Sequence, residues 1–271
     1  MLGRTHVLLA ILFFSPLLYA YHAEGAVDKY GALLILTGIA IGVLLPDVDS
    51  DESLLNRGGR NAARAAASGF GIVTKVFFFY PLVGVLYLAG ERKALRHRGA
   101  FHSIAGVFLA SLFWAAVFHA LDYVRAVPAQ YSMLLVEGMF LGALLHLYHD
   151  SLTKAGIEWL YPRPGRFSGR ITTGLRGVAG MLNFFQSHEF VEVLFILLAA
   201  AVASLVVFAG ASALAAAIAS AFGLLLIAAL CGVEGDEIPR DYAPQMGRGK
   251  SHYGRDGKWD FNGRDGGIFD A

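Results

Sequence analysis

Three short stretches pair imidazoles with carboxylates at spacings that suit a bound cation. HLYHD sets His146 and Asp150 four residues apart. On a helix they share one face about a turn apart. LLPDVDSDE sets Asp47 and Asp49 two apart, just after an apolar helix that breaks at Pro46. That spacing suits ligands from a loop, not from one helix face. HRGAFHS holds His97 and His102 around Gly99, which permits a tight approach so that both rings can turn toward one axis. His6 opens the first apolar run. Imidazole mixed with carboxylate favours zinc, manganese, iron or nickel over calcium or magnesium. A divalent cation would also explain the acids of LLPDVDSDE, which lie at the unfavourable end of a helix dipole.

The elements that must position these residues are apolar helices. The chain of 271 residues is 56% hydrophobic and 16% charged. Soluble domains carry about 25% charged residues, so the composition predicts an all-α, polytopic membrane helix bundle. Its net charge of +1 gives no sign of nucleic-acid binding, and its single cysteine, Cys231, excludes an intrachain disulfide or a cysteine-built zinc site. About 20 apolar residues cross a bilayer. Runs of that kind lie at 5–22, 31–46, 101–124, 131–150, 190–209 and 211–231. The first has a poor signal-peptidase site and is read as a retained span. A further stretch, 69–90, contains Lys75 and Pro81. If it enters and leaves on one side, every Lys and Arg of the 22 except Lys29 and Arg125 falls on the same side. By the positive-inside rule that side is the cytoplasm. The reading is therefore six spans plus one re-entrant or interfacial segment bent at Pro81, with a seventh true span over 69–90 as the alternative. The chain is a multi-pass plasma-membrane protein, with the N-terminus and C-terminal tail cytoplasmic.

This topology brings His6, Asp47, Asp49, His97, His102, His146 and Asp150 to the cytoplasmic mouth of the bundle, although only Lys and Arg were used to set it. Glu189 opens a later span at the same level. His149 lies beside His146 and is expected to support a ligand from behind. His22, His119, Asp122 and Glu137 belong to the outer half and read as interfacial residues, and His188 and His252 as bystanders. The aromatic run Phe77 to Tyr80 reads as lipid anchoring or packing. The expected organisation is a metal-site membrane domain over 1–192, a transmembrane hairpin over 193–231, and a Gly-rich polar tail over 232–271 with too few aliphatics for a core.

RTH, LLPDVDS, HRGAFHS and HLYHDSLTKAGIEWLYP occur in that order. Together they resemble the membrane-bound family of predicted metal-dependent hydrolases that includes a LexA-regulated bacterial inner-membrane protein. That family's pattern is an early His, PD-x-D, HRG-x-THS and H-x-x-x-D-x-x-T-x-x-G-x-x-x-x-x-P. The resemblance covers about residues 1–192. It implies ligand roles for His6, Asp47, Asp49, His97, His102, His146 and Asp150. Arg98 and Ser103 lie beside the histidine pair, Thr153 and Gly156 follow Asp150, and Glu189 matches weakly. Phe101 stands where the family has Thr. The last motif is distantly similar to zinc-dependent phospholipase C and P1 nuclease.

The activity expected from this set is metal-dependent hydrolysis, with zinc first and manganese or iron next. Asp47 or Asp49, whichever is not a ligand, would act as general base. Arg98 would hold a phosphate oxygen, unless it is only a positive-inside residue. A site at headgroup level points to a phosphoester or lipid-linked substrate. Two alternatives stay open: a non-catalytic protein with a structural metal, and a metal or ion transporter, which would need polar residues through both leaflets. Substrate, metal count and oligomeric state are not set by the sequence.

Overall fold

A computed structural model describes residues 3–49, 62–91, 99–124, 129–163, 165–172 and 183–236. The described residues are almost entirely helical: α1 (Gly3–Ala23), α2 (Lys29–Gly42), α3 (Ala62–Thr74), α4 (Tyr80–Leu88), α5 (Ile104–Tyr123), α6 (Ala129–Ser151), α7 (His188–Ala209) and α8 (Ala213–Leu230). The expected all-α membrane bundle is what forms. Among the described residues six helices are long and apolar enough to cross a membrane: 5–23, 68–88, 104–123, 130–151, 188–209 and 213–230. Hydropathy placed a full span at 31–46 and an irregular segment at 69–90. In the structure α2 is the short one, with 14 residues, and 62–88 is the long one.

The starts of the long helices are set by local chemistry. Ser103 accepts from the Gly106 amide at 3.1 Å, Ser187 from Phe190 at 3.4 Å and Ser212 from Ala215 at 3.2 Å. Each satisfies one of the orphan donors of a helix N-terminus. Asp28 does the same for α2 through the Gly31 amide, at 2.6 Å.

Within the bundle, α2 and α6 make the closest pairing. Each carries a small-residue repeat, Gly38 with Gly42 and Gly138 with Gly142. A Cβ on Gly38 would run into the Leu135 carbonyl, and one on Gly42 into the Met139 carbonyl. Reciprocally, Gly138 is pressed on the Ile35 carbonyl and Gly142 on that of Ile39. The two backbones touch, as in membrane helix pairs where lipid offers no hydrophobic drive and close packing must hold the helices.

The segment 62–88 is one continuous helix. It continues through Pro81, preceded by a π turn, Lys75–Phe79. There the Tyr80 amide donates to the Lys75 carbonyl, five residues back. Pro81 has no amide to give and its ring would strike the carbonyl four residues earlier; a widened turn relieves both. The helix runs antiparallel to α5. Phe70 stacks on Trp114 at 3.6 Å, and Phe79 meets Phe101 edge-on at 5.3 Å. Trp114 Nε1 donates to Thr74 Oγ1 at 3.1 Å.

After α6 the chain folds back over the end of the bundle. Thr153 and Ile157 bridge to Ile171 and Phe167. Gly156, at φ +55°, passes so close to the Phe167 carbonyl that a Cβ would collide with it. Strand β1 (Arg166–Ser168) pairs antiparallel with β2 (Glu234–Asp236), tying this cap to the chain beyond α8. The remainder of the 232–271 tail lies outside the described residues.

Candidate metal centre

The C-terminal end of α2, the start of α5 and the last turn of α6 meet at one end of the bundle, and the start of α1 joins them. A 3-10 turn, Pro46–Asp49, carries Asp47 off α2. A second one, Ala100–His102, carries His102 into α5. That turn is held from both sides: Ser103 Oγ donates to the Ala100 carbonyl at 2.6 Å, and the Ile104 amide donates to the Trp159 carbonyl at 3.0 Å. Thr153 Oγ1 donates to the Asp150 carbonyl at 2.7 Å, fixing the end of α6.

Four donors form a closed ring. His102 Nε2 lies 3.6 Å from Asp47 Oδ1 and 3.8 Å from Asp150 Oδ2. His146 Nε2 lies 3.6 Å from each of the same two oxygens. These edges are too long for hydrogen bonds. They exceed the edge of about 3.3–3.4 Å of a tetrahedron with metal–ligand legs of about 2.0–2.1 Å, and Asp47 and Asp150 belong to two different triads of donors that share His146. His146 Nδ1–H donates to the Val43 carbonyl at 2.7 Å. That bond leaves the Nε2 lone pair facing the carboxylates, buried and without a hydrogen-bond partner. His6 completes the group from α1. Its ring stacks on His146 at 4.5 Å, and His6, His146 and Asp150 bring ligand atoms within 4.8 Å of one another, as do Asp47, His102 and His146.

The electrostatics agree with a cation here. Two carboxylates and neutral histidines would leave a formal charge of −2 among buried groups, which is costly unless compensated. A divalent ion offsets it. The Asp47 side chain is the open side of the ring, 23% exposed, whereas those of His102, His146 and Asp150 are at 0%, 1% and 4%.

Of the seven expected ligands, the structure brings together His6, Asp47, His102, His146 and Asp150. His97 and Arg98 lie outside the described residues, as does the side chain of Asp49. Glu189 pairs with its neighbour His188 at 3.4 Å and is no part of either donor group. Glu137 and His119 are exposed, away from the centre. The glycine repeats that set the α2–α6 approach escaped the sequence reading, although G-x-x-x-G in an apolar stretch is a legible signal.

No curated protein and no solved structure matches this chain. A family model described as YdjM inner membrane protein matches residues 1–213. That stretch spans the whole helix set from α1 through α7 and all five converging donors. The chain is a multi-pass membrane protein, and it belongs to the YdjM inner membrane protein family.

Proposed function

We propose that this protein is a membrane-embedded metal-dependent hydrolase whose His/Asp centre opens at the cytoplasmic face. The observation that carries the reading is the ring of Asp47, His102, His146 and Asp150, with edges too long for hydrogen bonds and one accessible side. His146 has a single lone pair left to offer, because Val43 takes its other nitrogen. The two overlapping donor groups therefore describe one ion with up to five donors among the described residues, not two ions sharing a ring. Zinc fits the donors best, with manganese and iron next.

Bound there, a divalent cation would supply Lewis acidity that polarises a phosphoester and makes water acidic near neutral pH. The chain's own groups do the rest. His102, His146 and Asp150 are buried and would hold the ion. Asp47, at the open side, would orient a water molecule and accept its proton where it is not itself a ligand. Asp49 stands two residues on as a further carboxylate for that role. Arg98 adjoins the histidine motif and supplies a planar fork for a phosphate oxygen. A site at the end of a membrane bundle favours a phosphoester on a lipid or lipid-linked carrier.

The test is metal content. The protein is purified in detergent without chelator and its metals are counted by mass spectrometry. One equivalent in the wild type, lost in a His146→Ala, Asp150→Ala variant, supports the centre and justifies a screen of phosphoesters. No metal in either after reconstitution with excess zinc, manganese or iron rejects it. A loaded protein that turns over no phosphoester would instead be one in which the ion clamps helices together.

A further inference from the structure

His149 sits one residue before Asp150 and is fully enclosed, at 0% exposure. Its Nδ1 lies 3.0 Å from His6 Nδ1, and both rings are buried. Its other face meets Phe195 of α7 edge-on at 4.7 Å. Two imidazole nitrogens at that distance share one proton: one ring donates and the other accepts. Whichever way it lies, His6 is left with only Nε2 for any other bond.

Histidines that hold metals give their second ring nitrogen to an acceptor, which fixes both tautomer and orientation. His146 follows this rule with the Val43 carbonyl. For His6 the group in that place is His149. Resting on the metal-centre reading above, we propose that His149 is a positioning residue. It accepts the Nδ1–H of His6, so that His6 keeps its Nε2 lone pair for the cation while His149 itself stays off it. Phe195 then serves as the wall that holds the His149 ring in line. This gives the C-terminal hairpin, which contributes no donor among the described residues, a part in the centre through one aromatic contact.

The experiment compares full-length wild type, His149→Leu, His149→Gln, His6→Ala and the His6→Ala, His149→Leu double variant in detergent. Each is titrated with Zn²⁺ against a chelator of known affinity, and its Co²⁺-loaded visible spectrum is recorded. Size exclusion of the metal-free proteins screens out variants that do not fold. Wild type that binds neither ion rejects the centre itself, before any variant is read. With wild type loaded, His149→Leu is expected to weaken Zn²⁺ about 10–100-fold, the cost of losing a ligand's outer partner. His149→Gln, which can still accept, is expected to recover most of that loss. The double variant is expected to bind no more weakly than His6→Ala, because His149 acts only through His6. Unchanged affinity in His149→Leu overturns the proposal. So do additive losses in the double variant, or a Co²⁺ spectrum that changes when His149 is replaced in the His6→Ala background, since that would make His149 a ligand in its own right.

Discussion

Two helix pairs in this bundle are built on different principles. In α2–α6 the backbones touch, and each of the four seam glycines faces a carbonyl of the opposite helix. In α7–α8 contact is made by side chains: a Cβ on Gly223 would meet only the methyl groups of Leu198. The first pair ends in Asp47, His146 and Asp150. Among the described residues the second contributes nothing to either donor group, and it turns Phe208, Phe222 and Leu225 outward, as expected of a lipid-facing surface. Carbonyls cannot rotate away as methyl groups can. The chain therefore places its chemistry where position is set by backbone contact, and leaves side-chain packing to the part that only has to fill space.

The sharpest way to break the contrast is at the donors. His146→Ala with Asp150→Ala should take metal content to background, while an Ala substitution at Phe222 on the lipid side should leave it at the wild-type level. Next come the seam glycines. Gly42→Ala or Gly138→Ala should cost about 1–3 kcal/mol, as overpacking does, seen as a lower thermal midpoint in detergent. Metal affinity should fall with it, since Asp47 and His146 are carried by the same two backbones. Gly223→Ala is the matched control in the other pair. Leu198 can change rotamer, so the midpoint should move by less than about 1 kcal/mol and metal content should not change. A drop as large as that of Gly42→Ala would erase the distinction drawn here.

The smallest effect concerns Cys231, at the end of α8, whose thiol is buried. Maleimide labelling of the folded protein should be slow and should become fast on denaturation. Rapid labelling in the fold would show that α8 is looser than its packing suggests.

What could be read from the sequence follows from the range of each signal. His146 and Asp150 were legible because a helix repeat puts them on one face. The membrane class was legible from composition. His102 needed its motif, and His6 needed the topology, since nothing local marks a histidine near an N-terminus as a donor. Pro81 is accommodated in a way the sequence did not signal: a π turn five residues long precedes it and the helix continues. The stretch 69–90 does not enter and leave on one side: it belongs to one continuous helix whose 68–88 part is long and apolar enough to cross a membrane. Asp47, before that helix, and His102, after it, are 3.6 Å apart. The His6–His149 contact joins residues 143 apart in sequence, and no periodicity reaches that far.

The shortness of α2 has a consequence for the bilayer. Fourteen residues rise about 21 Å, against a hydrocarbon thickness of about 30 Å. Leu33 and Thr37 face outward along it, so lipid beside this helix is expected to thin, at a cost of fractions of a kcal/mol per Å. The dip brings headgroups and their water down to the turn that bears Asp47. A funnel of solvent at that one helix would reach the exposed carboxylate without any pore through the bundle.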